Sequence, residues 1–144
     1  MIAPSGAPLA RRAFLALACA SLVTACTRVE RCATCGMRID PKSTWRADLV
    51  TAGGAVHFDT PRCALLAWRG GKTAATSLLV ADFYDQRWQS ADALRFVIGS
   101  DVVGPMGADL VPVDPARLAK FMSDHHGARA LALAEVTPEV LSSL

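Results

Sequence analysis

From Trp45 to Val50 apolar and polar residues alternate, the period-two pattern of a strand with one face buried. Thr51-Ala52-Gly53-Gly54 is a turn signal and Ala55 to Phe58 reads as the returning strand, so the two segments predict a hairpin. Asp59 or Thr60 can cap the helix that follows, and Pro61 suits its first turn, where no N–H is needed. Leu65, Leu66 and Trp68 give that helix a buried face, and Gly70-Gly71 stops it. A further strand is predicted over Leu78 to Tyr84, after which Ser90 caps a short amphipathic segment from Ala91 to Ile98.

The second half repeats this grammar. Asp109 to Val113 reads as a strand, Asp114-Pro115 opens a helix with Leu118, Phe121 and Met122 inward, and Gly127 closes it before a strand from Ala128 to Ala134. Thr137-Pro138-Glu139 signals a last short helix. Strand, Asp cap, early Pro, helix and Gly stop thus occur at 55–71 and again at 109–127. The expectation is an α+β fold of two related strand-strand-helix-strand units, spanning 32–86 and 87–144.

The chain begins differently. Arg11 and Arg12 precede a twelve-residue apolar run, Phe14 to Ala25, too short for a membrane span, which needs about 20 residues. Small residues then lead into Cys26, as in the lipobox of bacterial lipoproteins, and Arg11-Arg12 resembles a twin-arginine export signal. Residues 1–25 are expected to be a signal peptide, Cys26 the lipid-bearing residue and 26–31 a polar tether. Such a protein faces the periplasm from the cell envelope. Thr27, in place of a retention aspartate, favours the outer membrane over the inner.

Removing residues 1–25 takes the balance of basic and acidic residues from 15 against 13 to 13 against 13. The mature chain is near neutral, without the basic stripe of a nucleic-acid binder. Of the five cysteines, Cys19 leaves with the signal and Cys26 takes lipid, so Cys32, Cys35 and Cys63 remain. Three thiols in an exported protein mean one disulfide and a spare, or thiols kept reduced as ligands, and the odd count favours the second.

Cys32-Ala33-Thr34-Cys35-Gly36-Met37 places two thiols and a thioether within six residues. Such polarizable donors suit Cu(I) and match Mg²⁺ or Ca²⁺ poorly. The C-x-x-C spacing by itself also permits a Cys32–Cys35 disulfide. Gly36 lets the backbone fold tightly behind Cys35, and an i, i+2 relation can bring Cys35 and Met37 to one side of an extended segment. For a third donor Met106, in the turn-rich Gly104-Pro105-Met106-Gly107, ranks above His57, and His125-His126 rank last because a helix end favours histidine anyway. Catalysis is not expected: no Cys–His pair is local in the chain, and Gly36 makes a poor helix start for a thioredoxin-like motif.

Arg31-Cys32-Ala33-Thr34-Cys35-Gly36-Met37, then Trp45-Arg46-Ala47, Phe58-Asp59, Cys63 and Pro105-Met106-Gly107, resembles the NosL family of copper-binding lipoproteins that assist nitrous oxide reductase maturation. The resemblance runs over most of the mature chain. It implies that Cys35 and Met37 ligate one Cu(I), that Cys32 is an auxiliary thiol, and that the ion passes to a copper-accepting protein or membrane transporter complex. It also implies two related α+β halves.

A second resemblance is to TRASH or YHS-type metal-binding knuckles, in which a cysteine commonly follows the aromatic residue where this chain has Asp59 after Phe58. The alternative it implies is a structural Zn²⁺ held by Cys32, Cys35 and Cys63 with Asp59 or His57, since zinc accepts mixed S, N and O ligands.

Overall fold

A computed structural model describes residues 29–144. The expected export signal at 1–25 and the lipid-bearing Cys26 lie outside the described residues. Among the described residues, no helix is long and apolar enough to cross a membrane.

The first hairpin forms close to where the alternation placed it. Strand β1 (Ala47–Thr51) pairs antiparallel with β2 (Gly54–Phe58), with Ala47 opposite Phe58 and Asp48 opposite His57. Helix α1 (Pro61–Arg69) follows, capped by the Thr60 side chain and ended at Gly70. β3 (Ser77–Ala81) then pairs with the other edge of β1, and β4 (Trp88–Ser90) pairs with β3, giving the order β2-β1-β3-β4.

The second unit repeats the plan. β5 (Arg95–Ile98) lies between β6 (Val111–Val113) and β7 (Arg129–Leu131), all antiparallel, with α2 (Leu118–Asp124) connecting β6 to β7. In both units the second strand returns beside the first, a helix crosses over, and the third strand pairs with the first strand's other side; in the first sheet β4 then extends beyond β3. The α+β fold with two related halves is therefore what the chain adopts. Helix α3 (Pro138–Ser142), capped by Thr137, ends it.

Strand alternation turns Ala47 and Leu49 of β1 inward, where they meet Phe58, Leu78 and Val80 with Leu65 from α1. Phe96, Leu110, Leu131, Leu133 and Leu141 from the second half complete the same cluster, so the two units share one core. Complete burial of a side chain such as Leu65 contributes about 1.5–3 kcal/mol. A second cluster, Val97, Val111, Val113 and Phe121, covers the other face of the second sheet.

Several segments differ from their expected form, each for a local reason. Ala91 to Ile98 is a short 3-10 turn at Ala91–Ala93 followed by β5, because Phe96 and Val97 enter different clusters and both faces of the strand are buried. A strand buried on both sides loses the alternation that would mark it. The strand expected to reach Tyr84 stops at Ala81, because the buried Asp82 carboxylate accepts the N–H groups of Tyr84 and Asp85 at 2.9 and 3.1 Å and turns the chain. β4 was not anticipated. It is a three-residue edge strand with the polar sequence Trp-Gln-Ser.

The strand expected from Asp109 begins at Val111, and the one expected to reach Ala134 ends at Leu131 before a 3-10 turn over Leu133–Glu135. The second helix opens with a 3-10 turn over Pro115–Arg117 and ends before Gly127, with His126 in the left-handed region at φ 53°. Gly127 is required for space: a Cβ there would lie 2.6 Å from the Met122 sulfur and 2.7 Å from Val97. Phe121 is buried as expected, and Leu118 and Met122 are half-buried against it.

Asp114 caps this helical segment, its side chain accepting the Ala116 N–H at 2.8 Å. Asp114→Ala is expected to destabilise the fold by about 1 kcal/mol, as loss of an N-cap typically does, measured by urea unfolding. A change below a few tenths of a kcal/mol would show that this cap contributes little.

Candidate metal centre

Cys32 and Cys35 sit in a small hairpin of their own. Arg31 bridges Arg38, the Ile39 N–H donates to the Glu30 carbonyl at 3.0 Å, and the Cys32 N–H donates to the Met37 carbonyl at 2.8 Å. The Gly36 N–H donates to the Cys32 carbonyl at 2.8 Å, and Gly36 takes φ +77°, a left-handed turn that other residues adopt at a cost. The expected tight fold behind Cys35 is therefore present.

Two further groups come from the junction of β2 and α1. Asp59 follows β2, and Cys63 lies in the first turn of α1, its N–H donating to the Thr60 hydroxyl at 3.2 Å. The Thr34 hydroxyl donates to the Cys63 carbonyl at 2.9 Å and so ties the knuckle to the helix. As a result the sulfurs of Cys32, Cys35 and Cys63 and one oxygen of Asp59 all lie within 4.8 Å of one another. All three cysteines are free thiols.

Exposure gives this cluster a direction. Cys32, Cys63 and Asp59 are 2, 3 and 5 % exposed, whereas Cys35 is half-buried, so the cluster is reached past Cys35. Cys35 and Cys63 line a cleft of about 360 Å³ together with Thr34, Thr60, Leu66 and Met106. Cys32 lies behind that lining.

Burial disfavours charge on the sulfurs. It pushes the Cys35 thiol up to about 11, aided by Asp59 and Cys32 and opposed by the Met37 N–H and by Cys63. Cys63 is raised further, again by burial first and by Asp59 next. For Asp59 burial acts upward too, but hydrogen bonds from the three thiols outweigh it and hold the carboxyl below its usual value. At neutral pH Cys35 and Cys63 therefore hold their protons beside an ionised Asp59 carboxylate. Cys35 Sγ donates to Asp59 Oδ2 at 3.2 Å, while Asp59 Oδ1 is buried with no hydrogen-bond partner. Such a cluster takes up a thiophilic cation by giving up protons.

The remaining candidates are dispersed. Met106 lines the cleft and is 51 % exposed. Met37 is 38 % exposed, and its backbone rather than its side chain closes the knuckle. His57 lies outside the cluster: strand register sets it opposite Asp48, and its Nδ1–H donates to that carboxylate at 2.7 Å, with Arg46 on the same Asp48. His125 pairs with Asp101 at 2.9 Å and packs on Phe121, and neither it nor His126 belongs to the cluster. The sequence carries no local sign that Thr34 or Asp109 belongs to this site. Their roles arise from contacts across 29 and 47 residues that carry no local signature.

No curated protein matches the chain. Among solved structures, the crystal structure of the copper chaperone NosL from Shewanella denitrificans matches with a TM-score of 0.64 at 20 % identity, covering 76 % of this chain and 91 % of that one. At this identity the match establishes a shared fold. The NosL family model matches residues 23–141, which contain the cysteine knuckle, both sheets and the Met106 turn, and the chain therefore belongs to the NosL family.

Proposed function

We propose that this protein binds one Cu(I) and passes it to an acceptor by ligand exchange. The observation that carries this reading is the convergence of three free thiols, two of which line a cleft that Met106 also lines. In the bound state Cys35 and Cys63, the two thiols that line the cleft, supply thiolates, and Met106 supplies a thioether. Cys32 is the auxiliary thiol beside Asp59. Two or three soft donors suit Cu(I), and an incomplete shell on the cleft side leaves room for a donor from the acceptor. Met37, exposed two residues from Cys35, is a second thioether that adds to the shell and takes part in that exchange. The function is carriage rather than catalysis. Family membership supports the copper reading, because the solved relative of the same fold is described as a copper chaperone.

The finer assignments follow from the same reading. The acceptor belongs to the assembly of a copper enzyme, nitrous oxide reductase in this family. The protein works at the periplasmic side of the envelope on a lipid at Cys26, in the outer membrane. Export matters to the chemistry, since the thiols must be kept reduced in an oxidising compartment to hold the ion.

One observation favours a second reading. The Asp59 oxygen within the cluster makes an S₃O set that a tetrahedral Zn²⁺ accepts, and that metal would hold the fold together instead of being delivered. Anaerobic competition against a chromogenic Cu(I) chelator separates the two. Copper carriage predicts one Cu(I) per chain, and weaker binding after Met106→Ala or Met37→Ala, each by less than Cys35→Ser because a thioether is uncharged. Unchanged affinity in both methionine variants would confine the site to the thiols. Loss of the fold on chelation, seen by thermal melting, would favour zinc.

A further inference from the structure

The first turn of α1 must satisfy N–H groups that have no partner within the helix. Pro61 has none to satisfy, the Cys63 N–H goes to the Thr60 hydroxyl, and the Ala64 N–H goes to the Thr60 carbonyl at 3.2 Å. The Arg62 N–H is left, and it donates to Asp109 Oδ1 at 3.1 Å, from 47 residues away. The same oxygen accepts the Leu110 N–H at 2.8 Å. Asp109 is 4 % exposed.

The segment just before Asp109 is the methionine turn. Gly104 and Gly107 exchange backbone hydrogen bonds of 2.7 and 3.1 Å, which leaves Pro105 and Met106 at the tip. The base of the turn rests on Asp109: a Cβ at Gly104 would lie 3.1 Å from the Asp109 Cβ and 3.3 Å from its Oδ2. Arg62 adds a second tie, its Nη1 donating to the Ala108 carbonyl at 3.4 Å. Asp109 itself lines the cleft with Cys35, Cys63 and Met106.

We infer that Asp109 is a positioning residue that latches the Met106 turn onto the helix carrying Cys63, and that through this latch it sets how fast the cleft releases Cu(I). The inference rests on the copper reading above. Its mechanical half does not. Residues that orient a metal's ligands without touching the ion typically change affinity by about 10–100-fold when lost.

The test uses the full chain with Asp109→Ala, Asp109→Asn, Met106→Ala and the Asp109→Ala/Met106→Ala double variant, and reads two quantities. In copper-free protein, amide hydrogen exchange at Arg62, Gly104 and Gly107 should speed up in Asp109→Ala and stay near wild type in Asp109→Asn, whose side-chain oxygen still accepts both N–H groups. In Cu(I)-loaded protein, release to a chromogenic chelator should be about tenfold faster in Asp109→Ala, equal to Met106→Ala, and no faster in the double variant. Should Asp109→Ala not fold, Gly104→Ala crowds the turn off the carboxylate while leaving it in place, and should speed release in the same way. Unchanged exchange in Asp109→Ala would overturn the latch, and additive release rates in the double variant would overturn action through Met106. Faster exchange in Asp109→Ala, alongside a wild-type chain that takes up no Cu(I), would retain the latch and reject the copper reading.

Discussion

Replacing Cys35 with serine lowers Cu(I) affinity by more than about 100-fold, beyond what losing outer support for a ligand typically costs, while the protein stays folded. Cys35 is the half-buried thiol of the cluster, and an ion entering from the cleft meets it together with Cys63. A serine hydroxyl can still donate to Asp59 Oδ2, as the thiol does at 3.2 Å, so the buried carboxylate keeps that partner. Serine cannot replace the polarizable thiolate, because a hydroxyl is a hard donor and stays protonated. Chelator competition measures the loss, and thermal unfolding of the apo protein shows that the fold survives. Affinity at the wild-type level would remove Cys35 from the ligand set.

Apparent Cu(I) affinity rises by about 100-fold per pH unit across the neutral range, since each proton displaced on binding contributes a factor of about ten per unit. The sign follows from the resting state. Burial pushes Cys35 up to about 11 and Cys63 higher, so both thiols hold their protons at neutral pH and must release them to coordinate. Asp59, held below its usual value, is already ionised and adds no proton to the exchange. Binding therefore strengthens as pH rises and weakens as it falls. Competition titrations at a series of pH values give the slope directly. A slope of one proton would mean that Cys35 alone becomes a thiolate, and a flat profile would contradict thiolate ligation altogether.

What the sequence disclosed and what it hid follow from the range of the interactions involved. Helix α1 was legible because Thr60, Pro61 and Gly70 act within a few residues of their own positions, and the β1–β2 hairpin was legible because one face is buried and the other is not. β5 was not legible, since its burial on both sides removes alternation, and neither was the end of β3, which depends on the buried Asp82 carboxylate gathering two nearby N–H groups.

The site divides in the same way. The C-x-x-C-G-M knuckle and the Pro-Met-Gly turn are local and stood out as motifs, as did the internal repeat that became two sheets of like topology. Cys63 reaches the knuckle only because α1 begins where β2 ends, and Asp109 reaches α1 only because the second unit packs beside the first. His57 shows the reverse case. Its residue type suggested a ligand, but strand register pairs it with Asp48 instead.

The most direct measurement is anaerobic metal loading of the fully reduced protein with Cu(I) and Zn²⁺ offered together, followed by metal analysis and a thiol count. The account predicts one copper per chain, bound in preference to zinc and recoverable by a chelator from a chain that remains folded. Zinc retained in place of copper, with unfolding when it is withdrawn, would contradict it.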